Sequence, residues 1–240
     1  MTCRLFVTID LDWASEVVIE ETLNWFSKYK IPVTVFATHD SRAIIERMNT
    51  IEVGLHPYFS PNSSQGSNSE EIIENLSQIP TNIPVYRSHR FLDSNQIREN
   101  MAKMGMRASS NVCTDLDPVT PFVHRSKMLE IPIAFEDGNF LERNYDLDSC
   151  DEITQLISES DIFVIAIHPM HFVLNTPHYQ WMRDIKDSTT RMRWNNMTCD
   201  EVTELRHSGW GIASFVKQFL MRAQENGHKF EQFSSLIMDL

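Results

Sequence analysis

The apolar positions of the chain fall into short blocks of two kinds. Residues 5–9 (Leu-Phe-Val-Thr-Ile) form a continuous apolar, β-branched run that ends on two acids, Asp10 and Asp12. Such a run, bounded by polar residues, predicts a buried strand. Residues 14–29 change period: Val17, Val18, Leu23 and Phe26 recur at helical spacing, with acids early and Lys28 and Lys30 late. That order suits a helix dipole. The pattern then repeats. Strands are expected at 31–37, 51–55, 84–86, 106–109 (weakly patterned), 128–135, 161–167 and 228–232, and helices from Ser41, at 69–79, 93–103, 151–159 and 211–226. The stretches 57–68, 136–145 and 169–177 read as loops. Residues 184–196 are charged and weakly patterned, which predicts a surface excursion.

Strand and helix alternate from end to end, without internal repeat or linker. This predicts an α/β fold with a mostly parallel sheet and helices outside. Seven or eight strands give an irregular (β/α)7-8 barrel, expected to occupy residues 1–240 as a single domain.

Composition narrows the function classes. The chain is 240 residues long and 42% hydrophobic, enough for one sizeable core. Its net charge of -12 argues against a nucleic-acid partner, since phosphate binding needs a basic footprint. No run reaches the ~18 apolar residues of a membrane span. The opening Met1-Thr2-Cys3-Arg4 leads straight into the first strand with no signal-peptide pattern. Cys3, Cys113, Cys150 and Cys199 lie far apart with no CxxC spacing, which argues for reduced thiols and against a cysteine zinc site. A cytoplasmic location is expected.

Chemistry collects at the strand ends. Four expected strands finish on Asp10/Asp12, His56, Arg87/His89 and His168. In a parallel barrel these ends share one face, where ligands bind. Strand alternation would send Asp10 and Asp12 to the same side, where two acids repel unless a metal ion or a shared proton offsets them. A plainer reading is a solvated turn in which Asp12 or Ser15 caps the next helix, and a lone strand-end histidine is more often structural than a ligand. His39, His124, His178, His207 and His228 follow no motif and read as surface or structural.

These motifs resemble the polysaccharide deacetylases of the nodulation-protein type (carbohydrate esterase family 4), and more narrowly the small bacterial surface-polysaccharide or O-antigen deacetylases. Thr8-Ile9-Asp10-Leu11-Asp12 sits where that family has Thr-Phe-Asp-Asp. Pro32-Val33-Thr34-Val35-Phe36 matches its following strand, and Glu52-Val53-Gly54-Leu55-His56 its Glu-Ile-Gly-x-His motif. Tyr86-Arg87-Ser88-His89 falls at the arginine motif, Ile165-Ala166-Ile167-His168-Pro169 at the Leu-x-Leu-His motif, and 211–215 at the C-terminal end.

The resemblance implies a metal-dependent hydrolase that removes an N-acetyl group from an amino sugar or polysaccharide precursor. Asp10 would be the base, His168 the acid, and Arg87 the partner of Asp10. There are two departures. Leu11 separates the aspartates, so the metal role passes to Asp12. Ser60 stands where the family's second metal histidine would be. The expected ligands are therefore Asp12, His56 and His89, with His171 as the alternative third. Such a nitrogen-oxygen set suits Zn2+, and also Co2+, Ni2+ or Fe2+. Trp13, Tyr58, Asp137 and His171 are expected to meet a carbohydrate substrate, although Trp13 would equally pack the barrel mouth, and Asp137 would alternatively partner His168 or be a turn acid. The alternatives are a related amidohydrolase or deformylase on a small amide, and a non-catalytic carbohydrate-binding relative.

Overall fold

The computed structural model describes residues 2–61 and 63–237. Met1, and residue 62 in the expected polar loop, lie outside the described residues. The central strand is β1 (Arg4–Asp10), followed by β2 (Val33–Ala37), β3 (Glu52–Leu55), β4 (Val85–Tyr86), β5 (Ala108–Ser109), β6 (Phe122–Val123), β7 (Leu129–Glu130), β8 (Phe135–Glu136), β9 (Ile162–Ile167) and β10 (Lys229–Glu231). The sheet order is β6-β7-β5-β4-β3-β2-β1-β9-β8, with β10 beside the start of β1. Every pairing is parallel except the short β6–β7 ribbon.

β7 and β8 are the two ends of one extended stretch, 129–136. At its start Ile131 N–H donates to Ser109 O (2.8 Å) and Ile133 N–H to Val112 O (2.8 Å). At its end Ala134 N–H donates to Val164 O (3.0 Å), and Phe135 pairs with Ile165. The sheet thus curls back on itself through this stretch, an irregular β/α barrel as expected, with helices around it.

Period-two alternation along β1 divides the core in two. Leu5, Val7 and Ile9 pack outward against the helices, in a cluster with Val18, Leu23 and Phe26 of the helix Glu16–Lys28. Phe6 points into the barrel with Phe36, Val85, Val164, Ala166 and Phe233. Phe233 lies against Phe6 and Phe36 at ring separations of 5.8 and 6.1 Å, beneath the strand starts. Each such buried ring or aliphatic chain contributes about 1.5–3 kcal/mol. Continuing along the inner face of β1, Thr8 and Asp10 rise toward the opposite end, where the polar site lies.

Two expected loops and the expected surface excursion carry helices. The stretch 136–145 begins with the helix Asp137–Glu142, nucleated by the Glu136 side chain, which accepts from the backbone N–H groups of Gly138 and Asn139. The stretch 169–177 contains the helix Pro169–Leu174, with Pro169 in the first turn and every residue buried. Proline suits that position because its missing N–H would be unbonded there anyway. The helix Tyr179–Ser188, capped by His178, runs into the expected surface excursion, and the helix Arg191–Asn195, capped by Thr190, lies within it. Among the described residues no helix is long and apolar enough to cross a membrane.

Candidate active site

The parallel strands deliver their last residues to one rim. Hydrogen bonds continue the ladder one step past β3 and β4, from His56 N–H to Ala37 O (2.9 Å) and from Arg87 N–H to Leu55 O (3.0 Å). A cavity of about 850 Å³ opens over this rim, lined among others by Asp10, Asp12, His56, His89, Glu136 and His168.

Asp10 ends β1 and is buried. Its Oδ1 accepts from Arg87 Nη1 at 2.8 Å, and the same nitrogen donates to Thr8 Oγ1 at 2.7 Å. Arg87 is wholly buried, donates to Ser110 O and Ser110 Oγ, and lies 4.3 Å from the centre of the Phe36 ring. A guanidinium so enclosed is held in one orientation, and the Asp10 oxygen with it.

Asp12 is placed by a turn rather than by strand alternation, because β1 stops at Asp10. Asp12 and Trp13 both adopt left-handed backbone (φ 45° and 55°), and Ala14 N–H closes the turn on Leu11 O (2.8 Å). Consecutive left-handed non-glycine residues cost roughly 1 kcal/mol or more each and cluster at functional sites. The turn leaves Leu11 in the core and sends Asp12 toward the histidines. The expected capping role falls to neither candidate: Ser15 is the N-cap of Glu16–Lys28, but its hydroxyl makes no cap bond.

Three imidazoles surround the Asp12 carboxylate. His56 Nε2 and His89 Nδ1 lie 3.1 and 2.9 Å from Oδ1, and His168 Nε2 lies 3.7 Å from Oδ2. Burial raises the Asp12 pKa, but the His168 charge and the His56 and His89 hydrogen bonds outweigh it and hold the carboxyl well below its ordinary value. Asp12, His56 and His89 present one ligand atom each within 4.8 Å of one another. Two nitrogens and an oxygen, around a carboxylate that stays ionised, fit a divalent ion of the zinc type. The buried His56 Nδ1 has no partner, leaving the ring's bonding directed through Nε2 alone.

His89 approaches Asp12, and His171 does not. His171 is buried at the cavity wall with Nδ1 3.1 Å from Thr176 Oγ1, and burial lowers its pKa to about 4. Asp137 lies against His168, one of the partners expected for it. Its Oδ2 accepts the His168 backbone N–H (2.8 Å), and its Oδ1 meets His168 Nδ1 (2.6 Å). Burial opposes a charge on His168, but Asp137, Asp12 and Glu136 prevail and raise its pKa well above the ordinary value. Trp13 and Tyr58 pack edge-on around the His89 ring, at centroid distances of 5.3 and 4.8 Å, and so brace a candidate ligand.

Sequence reasoning missed Glu136, which ends β8 on the same rim. Burial raises its pKa to about 7, its Oε1 lies 3.2 Å from His168 Nδ1, and the strand-end rule that found His56 and His168 would have found it too. It also missed Arg90, Arg183 and Lys186, which line the cavity. The last two share one face of a helix that the charged sequence had concealed.

A family profile described as WbmS-like polysaccharide deacetylase matches residues 7–186. No curated protein matches the chain. Among solved structures, the fold resembles that of a Bordetella bronchiseptica protein described as a polysaccharide deacetylase involved in O-antigen biosynthesis, with a TM-score of 0.79, 23% identity, and coverage of 92% of this chain and 90% of that one. It also resembles a Mycobacterium smegmatis protein described as a polysaccharide deacetylase, with a TM-score of 0.61, 13% identity, and coverage of 99% and 90%. At these identities the structural likeness speaks for the fold, and the profile for the family. The profile runs from β1 through most of the helix Tyr179–Ser188 and takes in Asp10, Asp12, His56, Arg87, His89, Asp137 and His168. The chain belongs to the WbmS-like polysaccharide deacetylase family.

Proposed function

We propose that this protein is a metal-dependent hydrolase that removes the N-acetyl group of an amino sugar, in a polysaccharide or its precursor. The observation that carries this reading is the convergence of Asp12, His56, His89 and His168, from four separate chain segments, beside the Asp10–Arg87 pair. Asp12, His56 and His89 would hold the ion, with Zn2+ the best match to the donor set. When bound, it supplies a Lewis acid that polarises the acyl oxygen and acidifies water.

The remaining steps fall to the chain's own residues. Amide hydrolysis adds water to the acyl carbon, breaks the C–N bond, and leaves a carboxylic acid and an amine. The Asp10 carboxylate takes the proton that the attacking water loses. Arg87, fixed by Ser110 and Thr8, keeps that carboxylate aimed into the cavity. His168 gives a proton to the departing nitrogen from Nε2, since Asp137 engages Nδ1. General acid and base catalysis contribute about 10²–10⁴-fold each. The free state of Cys3, Cys113, Cys150 and Cys199 supports placing this reaction in a reducing compartment such as the cytoplasm.

Acetate release from a panel of N-acetylated amino sugars, with each divalent metal added in turn, tests the proposal. Metal-dependent release is expected, and no release with any metal would contradict it.

A further inference from the structure

Cationic side chains share the cavity with the acids. Arg90 follows His89 directly, and Arg183 and Lys186 stand three residues apart on the helix Tyr179–Ser188, hence on one face. All three line the same cavity as Asp12, His56, His89 and His168. The lining holds Arg143 as well, four Lys or Arg side chains against five acids.

Of the five acids that line the cavity, four are engaged elsewhere, and the fifth, Glu142, is exposed and forms no ion pair among the described residues. Asp10 is taken by Arg87, Asp12 by the imidazoles, and Glu136 caps the helix Asp137–Glu142. Asp115 is engaged by Asn139, Tyr145 and Arg143. Among the described residues, Arg90 and Lys186 meet no carboxylate within ion-pair distance, and Arg183 reaches only the exposed Asp187 of its own helix, at 3.4 Å. Lys186 instead rests with its Nζ 5.2 Å from the centre of the Trp194 ring. Burial is the largest influence lowering its pKa; Asp12 and Asp137 oppose that shift, and Arg183 and Arg90 add to it.

The backbone also departs from its preferred conformation to present Arg90. Arg90 and Phe91 are both left-handed (φ 58° and 54°), which interrupts the short helical turn His89–Phe91. A conformation unfavourable for a side chain of this size sets the exposed Arg90 beside the cavity, directly after the candidate ligand His89.

Resting on the reading of the site as an amino-sugar deacetylase, we infer that its substrate is anionic: an acylated amino sugar bearing a carboxylate or phosphoryl group, which Arg90, Arg183 and Lys186 receive while the amide lies at Asp12 and His168. Planar guanidinium donors and a lysine ammonium suit either oxyanion. Charge of this kind at a cavity mouth also steers an anionic sugar toward a protein that is otherwise negative.

Calorimetric binding to the zinc-loaded full chain tests this without requiring turnover. The probes are glucose 1-phosphate and glucuronic acid, with methyl glucoside as the neutral counterpart of each. At least one anionic probe is expected to bind about tenfold or more tighter than its neutral counterpart, and which one does so separates phosphoryl from carboxylate recognition. In the Arg90→Gln/Lys186→Gln double variant that preference should fall to near unity. Circular dichroism and bound-zinc content check that the variant remains folded and loaded. Equal binding of charged and neutral probes, or an anion preference that survives in the folded double variant, would overturn the inference. Acetate release from neutral N-acetyl sugars alone would leave the deacetylase reading standing while the anionic substrate failed. Absence of acetate release from every substrate, with the anion preference intact, would do the reverse.

Discussion

Asp137 holds His168 at two points, accepting its backbone N–H at 2.8 Å and meeting its ring Nδ1 at 2.6 Å. Two contacts from one carboxylate fix both the position and the rotation of the imidazole, and so direct Nε2 toward Asp12. In Asp137→Asn the ring loses its nearest negative charge. The expected result is a kcat reduced about 10²-fold or more with bound metal unchanged, measured by acetate release and metal analysis.

The same pair sets a pH dependence. His168 has a raised folded-state pKa, so its proton is retained above the ordinary histidine range. As a general acid it should lose activity only as the pH rises through that raised value, and its contribution to stability should disappear over the same window. The alkaline limb of the pH profile of kcat should therefore move to lower pH in Asp137→Asn. An unmoved limb would assign it to another group.

His171 should act in the opposite sense. Its pKa falls from an ordinary 6.5 to about 4 because the ring is buried. The unfolded chain then takes up this proton first, and stability is lost as the pH falls from 6.5 toward 4. At pH 5 the loss is on the order of 2 kcal/mol. Urea unfolding at pH 7 and pH 5 should show a smaller acid-induced loss for His171→Gln than for the unsubstituted chain.

The buried pair of Asp10 and Arg87 is expected to matter for folding as well as chemistry. Arg87→Met would leave Asp10 without its cation and Thr8 and Ser110 without their donor. Breaking a buried ion pair from one side costs about 3–5 kcal/mol. Denaturant unfolding should show a loss of this size, and Asp10→Asn/Arg87→Met should recover part of it.

Much of this site was legible in the sequence because parallel strands end where ligands bind. Asp10, His56, Arg87 and His168 each follow an apolar run, so one rule locates them all, and the family motifs reinforced it. Asp12 reached its place for a reason that alternation does not capture, a pair of left-handed residues after β1. The helix Pro169–Leu174 was masked because its apolar residues have no polar face: the segment is buried all round, and periodicity is silent there. Its proline was the available signal. The helix Tyr179–Ser188 was hidden for the opposite reason. Its charged residues look like solvent-facing ones, and only the fold shows that Arg183 and Lys186 turn toward a cavity. Trp13 and Tyr58 lay on the expected rim, but packing around His89 is a tertiary relationship that no local pattern encodes.

Anomalous diffraction from a zinc-soaked crystal would show whether Asp12, His56 and His89 converge on one divalent ion. A single strong peak is expected at Asp12, His56 Nε2 and His89 Nδ1, absent in Asp12→Ala and His56→Ala but retained in Asp10→Asn. A peak on Glu136, Asp137 and His168 instead, or none at any zinc concentration, would contradict that convergence.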